Sequence, residues 1–206
     1  MKQVSFLAIA AVVLASCGGN STETTNNTTT VTVSTGADTL RVDTTTSVVN
    51  WVGSKPTGKH TGTISLSSGY LLANDTALLG GKIVLNMNTI NTTDLTGGEK
   101  TDLDNHLKDG DFFDVAKFPT AEFEIASVGT DSLGAKQLTG NLTLKGIAKQ
   151  VVFPVTYSYT AGVLTAKAAT TIDRSLWGVS YSGSKTPLDW VISKEVPLEI
   201  VLVAKK

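Results

Sequence analysis

Few residues in this 206-residue chain are equipped for chemistry. It has two histidines, His60 and His106, and a single cysteine, Cys17. A zinc site needs three or four ligands at definite spacing. Two separate imidazoles with no cysteine near either do not provide one, and His106 reads as facing solvent or capping a pocket. Acids gather between 94 and 114 as Asp94, Glu99, Asp102, Asp104, Asp109, Asp111 and Asp114, opposed there by Lys100 and Lys108. Asp102-x-Asp104 opens like a calcium loop. However, Leu107 holds the sixth position, where Gly is required, and Phe113 the twelfth, where Glu is required. The run therefore reads as a solvated helix and turn, and neither metal nor cofactor is expected. Ser182-Gly183-Ser184-Lys185 matches S-x-x-K, but it lies in a Gly-Ser loop before Pro187, not at the start of a helix, and Lys185-Thr186-Pro187 is not K-T-G. Asp173-Arg174 stands beside Trp177. It reads either as a structural ion pair with a stacked guanidinium or as a cation placed to meet a ligand head group. Lys55, Lys59 and His60, in the Gly-rich stretch 53–62, are candidates for the same contact. No catalytic residue emerges, and an enzyme is not expected.

Composition narrows the alternatives. Net charge is −1 and hydrophobic residues make up 41%. This is enough apolar material for one sizeable core, and there is no field to draw in nucleic acid. Arg41 and Arg174 are the only arginines among 17 basic residues, a poor endowment for reading phosphates bidentately. Nucleic acid is excluded as a partner.

The lone cysteine has a purpose at the N-terminus. Met1-Lys2-Gln3 carries one positive charge, and Val4–Ala15 is almost wholly apolar, too short to span a bilayer. Leu14-Ala15-Ser16-Cys17 resembles the bacterial lipoprotein box, with residues 1–16 as signal peptide and Cys17 as the lipidated residue. That resemblance implies a membrane anchor. Gly18 in place of Asp favours the outer membrane, and the expected location is the cell envelope, facing the periplasm. Residues 21–47 hold twelve threonines. Residues 17–42 read as a flexible tether; as coil, the 27 residues from 21 to 47 reach about 30 Å.

From 43 to 206 the periodicity is two. Ile83, Leu85 and Met87 share a parity, as do Ala121, Phe123 and Ile125. So do Leu138, Leu142 and Leu144; Val151, Phe153, Val155 and Tyr157; and Val196, Leu198, Ile200 and Leu202. With weaker segments at 48–52, 63–72 and 162–172, this predicts about eight half-buried strands. Pro154 and Pro197 then mark strand starts, edges or bulges. One helix is expected at about 99–109, with Leu103 and Leu107 on one face, Thr101 as cap and Gly110 closing it. Phe112, Phe113 and Phe118 should plug one end of the sheet.

Separated motifs now carry a family resemblance. Leu103-Asp104-Asn105-His106-Leu107-Lys108-Asp109-Gly110-Asp111-Phe112-Phe113-Asp114, followed by Phe118-Pro119-Thr120-Ala121-Glu122-Phe123, resembles the signature of the YceI-like family. So do Leu138-Thr139-Gly140-Asn141-Leu142-Thr143-Leu144-Lys145-Gly146 and Ile172-Asp173-Arg174-Ser175-Leu176-Trp177-Gly178-Val179. The resemblance implies a lipocalin-like eight-stranded antiparallel barrel with one short helix. It also implies a long apolar amphiphile, a polyisoprenoid or fatty-acid-like lipid, bound in the lumen. Trp51-Val52-Gly53 reverses the Gly-x-Trp of true lipocalins.

The function expected is non-catalytic carriage of such a lipid; the alternative is a packed barrel serving as an interaction module. The residues expected to line the lumen are Ile83, Leu85, Met87, Phe113, Phe118, Ala121, Phe123, Ile125, Leu142, Leu144, Phe153, Val155, Tyr157, Trp177 and Leu198. Small inward residues, Ala121, Gly140, Ala166 and Ala168, should leave room. The expected partners are the lipid and the anchoring membrane, and homodimerisation is left open.

Overall fold

The computed structural model describes residues 36–180 and 192–206. Cys17, the signal segment and the Ser182–Lys185 motif lie outside the described residues. The alternating segments form strands β1 (Asp38–Val42), β2 (Val48–Lys55), β3 (Gly58–Ala73), β4 (Leu78–Asn86), β5 (Asn91–Thr92), β6 (Thr120–Thr130), β7 (Lys136–Leu144), β8 (Ile147–Thr160), β9 (Val163–Asp173) and β10 (Glu195–Lys205), with helix α1 at Gly97–Lys108. All pairings are antiparallel. The ring runs β2-β3-β4-β6-β7-β8-β9-β10 and returns to β2, an eight-stranded closed barrel. Closure pairs both edges that an open sheet would leave bare.

β1 is not a ninth stave. It pairs with β3 and β10, the same neighbours as β2, but farther along both. β1 and β2 are thus two pieces of one stave, broken by the turn at 43–47. Asp43 holds that turn: its carboxylate accepts from the Thr45 N–H and hydroxyl and from Lys205 Nζ, at 2.8 Å from the latter. The barrel therefore begins at Asp38, and the tether boundary expected at 42–43 moves five residues earlier. The last threonines of the Thr-rich run belong to the turn.

Alternation places the apolar rows inside. Ile83 pairs with Phe123, Leu85 with Ala121, and Phe123 with Leu142. A bulge between Ile125 and Ser127 resets the register, so that Val128 returns to the inner face opposite Leu138. Pro154 and Pro197 stand where a ladder stops: β8 leaves β7 at Pro154, and the β10–β2 pairing begins one residue after Pro197.

The core forms two clusters. At the far end, which carries the 74–77 and 131–135 turns, Leu40, Leu71, Leu164 and Ala204 are fully buried. At the near end Met87, Ile90, Phe112, Val115, Trp177 and Val179 form a second cluster. Each such side chain contributes about 1.5–3 kcal/mol by leaving water.

α1 begins two residues before the expected start. Thr101 does not cap it; its hydroxyl donates to Gly97 O inside the first turn. Gly110 does not close it either. Asp109 follows in extended geometry, and the left-handed residue beyond is Asp114, at φ 49°. No residue of α1 is fully buried, so packing alone does not hold it. Asp104 ties it down by accepting from the Thr92 N–H at 2.7 Å and from Lys100 Nζ at 2.6 Å. Burial pushes the Asp104 carboxyl up, but these donors hold it below the usual range. The aromatic plug holds two of its three expected members. Phe112 and Phe113 meet edge to face at 5.0 Å. Phe118 turns away, its ring under the Gly146 turn with Lys117 above it.

Candidate ligand-binding lumen

Between the two plugs the barrel is not solid. One chamber, about 80 Å³, lies toward the far end among Ile83, Leu85, Phe123, Ile125, Leu138, Phe153, Val155 and their neighbours. A second, about 110 Å³, lies toward the near end among Trp51, Met87, Phe112, Phe113, Ala121, Leu144 and Arg174. Val49, Leu85, Leu142, Ile172 and Leu198 belong to both walls, so the chambers are adjoining parts of one lumen. The walls are almost wholly apolar. Such a space excludes ordered water, which needs polar partners, and suits a hydrocarbon chain.

Two glycines shape these walls. A Cβ on Gly140 would fall 2.4 Å from Phe123 Cζ, because the Phe123 ring lies across β7 on its way to Phe153, 5.4 Å away between centroids. A Cβ on Gly62 would fall 2.2 Å from the Trp51 ring, which lies over β3 in the same manner. Gly140 therefore does not leave a vacancy, as its size suggested; Phe123 fills it. Ala121 does border the second chamber, and Ala166 and Ala168 border the first.

Of the fifteen residues expected in the lumen, twelve line one or both chambers. Three do not. Phe118 packs under the β7–β8 turn. Trp177 is buried to 1% in the near-end plug, its Nε1 donating to Leu142 O at 2.9 Å. Tyr157 sits at the far end against the core, on an outer groove. Parity was right for Tyr157, but β8 runs past the chamber before reaching it. Trp51, Val49 and Ile172 line the lumen without having been expected there, and Phe112, expected only in the plug, lines it too. The signal for Trp51 lay in its pairing with Gly62, which only the register reveals.

Among the head-group candidates, Arg174 alone reaches a chamber. It is 4% exposed and donates to three main-chain carbonyls: Nε to Ser193 O and Nη2 to Ile192 O at 3.0 Å each, and Nη1 to Val179 O. Its guanidinium stands 5.3 Å from the centroid of the Phe112 ring. Burial lowers its pKa, while Asp173 raises it. Asp173 is not hydrogen-bonded to it; that carboxylate caps the following turn, accepting from the Ser175 hydroxyl and N–H, and these bonds hold its pKa down. Lys55 and His60 line an outer groove of about 300 Å³ with Trp51, Leu107 and Phe112. Lys59 is exposed and lines neither chamber. His60 Nδ1 lies 2.9 Å from Asp94, which also accepts from the Thr61 N–H. Burial pushes the Asp94 carboxyl up, and these two partners bring it below its usual range. His106 borders the same groove, its ring 5.9 Å from Phe112. Among the described residues no group of three His, Cys, Asp or Glu is placed to hold a metal ion.

The YceI-like domain matches residues 40–204. The chain belongs to the YceI-like family. A UPF0312 protein of Shewanella denitrificans is 41% identical over 71 residues, 34% of this chain and 35% of that protein. A UPF0312 protein of Pseudomonas aeruginosa is 40% identical over 70 residues, 34% of this chain and 33% of its own length. The aligned stretch thus spans about a third of each relative. BcnA of Burkholderia cenocepacia superposes with a TM-score of 0.66 at 22% identity, over 80% of this chain and 99% of that one. A polyisoprenoid binding domain from Saccharophagus degradans superposes at 0.55 and 17% identity, over 81% and 97%. These likenesses establish that the YceI-like barrel here has the fold of those proteins.

Proposed function

We propose that this YceI-like chain is a non-catalytic carrier whose lumen shields the hydrocarbon part of an amphiphile of the polyisoprenoid or fatty-acid type. The observation that carries this reading is the pair of adjoining apolar chambers held open between two fully buried plugs. The ligand named for the Saccharophagus degradans neighbour supports it. Each methylene moved from water into such a wall contributes about 0.8 kcal/mol, so ten contribute roughly 8 before association costs. The Trp51 indole N–H, buried without an acceptor among the described residues, and the Arg174 guanidinium are donors only. The head group that suits them is an oxygen acceptor. Cys17 anchors the carrier in the cell envelope, on the periplasmic side of the outer membrane.

Native mass spectrometry of gently purified protein, followed by lipid extraction, tests the carrier. A co-purifying amphiphile is expected, and Ala121→Trp, which puts an indole into the second chamber, should abolish it without lowering Tm. A wild type that is repeatedly empty, together with a large fall in Tm for Ala121→Trp, as overpacking of a solid core would cause, leaves the packed interaction module instead. Cys17→Ser should move the protein out of the membrane fraction; retention after a carbonate wash overturns the anchor.

A further inference from the structure

The longest unpaired seam in the barrel wall lies between β8 and β9; shorter ones lie between β2 and β10 and between β4 and β6. β9 pairs with β10 along its whole length, Val163–Asp173 against Lys205–Glu195. β8 pairs with β7 from Ile147 to Pro154, and with β9 only from Val155 to Thr160. From Ile147 to Pro154 on one side and from Ala169 to Asp173 on the other, the two strands have no ladder between them. Pro154, which has no N–H, stands where the split begins.

The sides of this slot are unlike the rest of the surface. Val152 is 59% exposed, Leu176 55% and Ile147 40%; they are three of the five large apolar side chains so exposed among the described residues. Ile147 and Val152 lie on β8, and Leu176 on the turn that follows β9. Inside the slot Val151 and Ile172, both of inward parity, remain half-buried and line the chambers. Lys167, whose side chain is exposed, borders both the first chamber and an outer groove. An apolar rim thus leads through an unpaired seam to an apolar interior.

The near-end groove shares Trp51, Leu107, Phe112 and Ile192 with the second chamber, but entry at either end disturbs bonds that the slot does not. Opening the far end separates β1 from β3 and β10 and uncovers Leu40 and Leu71. Opening the near end breaks the Arg174 carbonyl bonds, the Trp177–Leu142 bond and the Lys145 bond to Phe112 O. Each of those steps strands buried polar groups. Widening the slot breaks no ladder. We infer that the ligand's hydrocarbon chain passes through the β8–β9 slot, so that the carrier loads from its side. This rests on the carrier reading above.

Blocking each route separately tests it. Cys17 is the chain's only cysteine, so the full chain with Cys17→Ser accepts one new thiol at an exposed position. Val152→Cys marks the slot, Leu133→Cys the far end and Lys59→Cys the near-end groove. Each is biotinylated through a maleimide, and loading of cis-parinaric acid is followed by stopped-flow fluorescence with and without streptavidin. Streptavidin at Val152→Cys should slow loading by about tenfold, as a blocked gate does, and at the other two positions leave it unchanged. Unaltered loading at Val152→Cys, or equal slowing at Leu133→Cys or Lys59→Cys, overturns side loading and leaves the carrier standing. Failure of the unlabelled protein to take up the probe at any concentration overturns the carrier and side loading together.

Discussion

The two ends of this barrel are closed by different means. The far end is closed by the sheet itself: β1 continues the stave of β2, pairs on both sides, and lays Leu40 against Leu71 with neither exposed. Among the described residues the near end is closed by segments from four places in the chain, 87–90, 107–115, 174–179 and 192–193. They are joined less by sheet pairing than by side chains that donate to main-chain oxygens. Arg174, Trp177 and Lys145 each do so. A sheet-closed end is stiff because opening it breaks the ladder pairs that β1 makes with β3 and β10. A side-chain-closed end depends on a few groups, and it adjoins both the larger chamber and the slot.

The largest expected effect is at the near end. Trp177→Ala removes a buried ring and strips Leu142 O of its donor; a loss of about 3–5 kcal/mol is expected in urea unfolding. Hydrogen exchange should show protection falling first in α1 and the 174–179 turn, with β1 retained. Equal loss in β1 would show that the ends are not independent. Next is Leu71→Ala at the far end, with an expected cost of about 2–5 kcal/mol, measured the same way, with α1 protection unchanged. Smaller is Gly140→Ala, whose methyl has to displace the Phe123 ring. About 1–3 kcal/mol is expected, together with altered lipid affinity, since Phe123 lines the first chamber. A stable variant with unchanged binding would remove Phe123 from the wall.

The smallest effect concerns Asp43, at the break between β1 and β2. The Lys205 and Thr45 hydrogen bonds hold its carboxyl well below the usual range. A depressed folded pKa stabilises above the unfolded value and loses that stabilisation as pH falls through the folded one. At pH 7 Asp43→Asn should therefore lower Tm slightly. Below about pH 4, where the free carboxyl titrates, the gap between variant and wild type should close. A gap that widens on acidification would remove Asp43 from the far-end closure.

Much of the fold was legible because a strand with one buried face must alternate. Ile83, Leu85, Phe123, Leu142 and Phe153 declared their parity, and a closed sheet leaves such rows only one interior to share. On the strands the residues expected in the lumen line the chambers for that reason, except Tyr157, where β8 has already run past them. The expectation failed at Phe118 and Trp177, which lie in turns, where no period links residue type to direction. Thr101 and Gly110 misled similarly: a threonine near a helix start and a glycine near its end are common signals, but Asp104 and Asp109 decided the geometry.

What the sequence's composition and period determined is an all-β domain of about eight strands, the inward rows and the scarcity of catalytic groups, while the barrel was implied by the family resemblance. Whether those rows meet or leave space was decided by tertiary structure. The Phe123 ring crosses Gly140, and the Trp51 ring crosses Gly62, through registers set by pairings distant in sequence. The split between β8 and β9 was likewise hidden, because a strand reads the same whether its neighbour stays or departs. Periodicity reports which face of a strand is buried; only the packed structure determines how much of that buried space is filled.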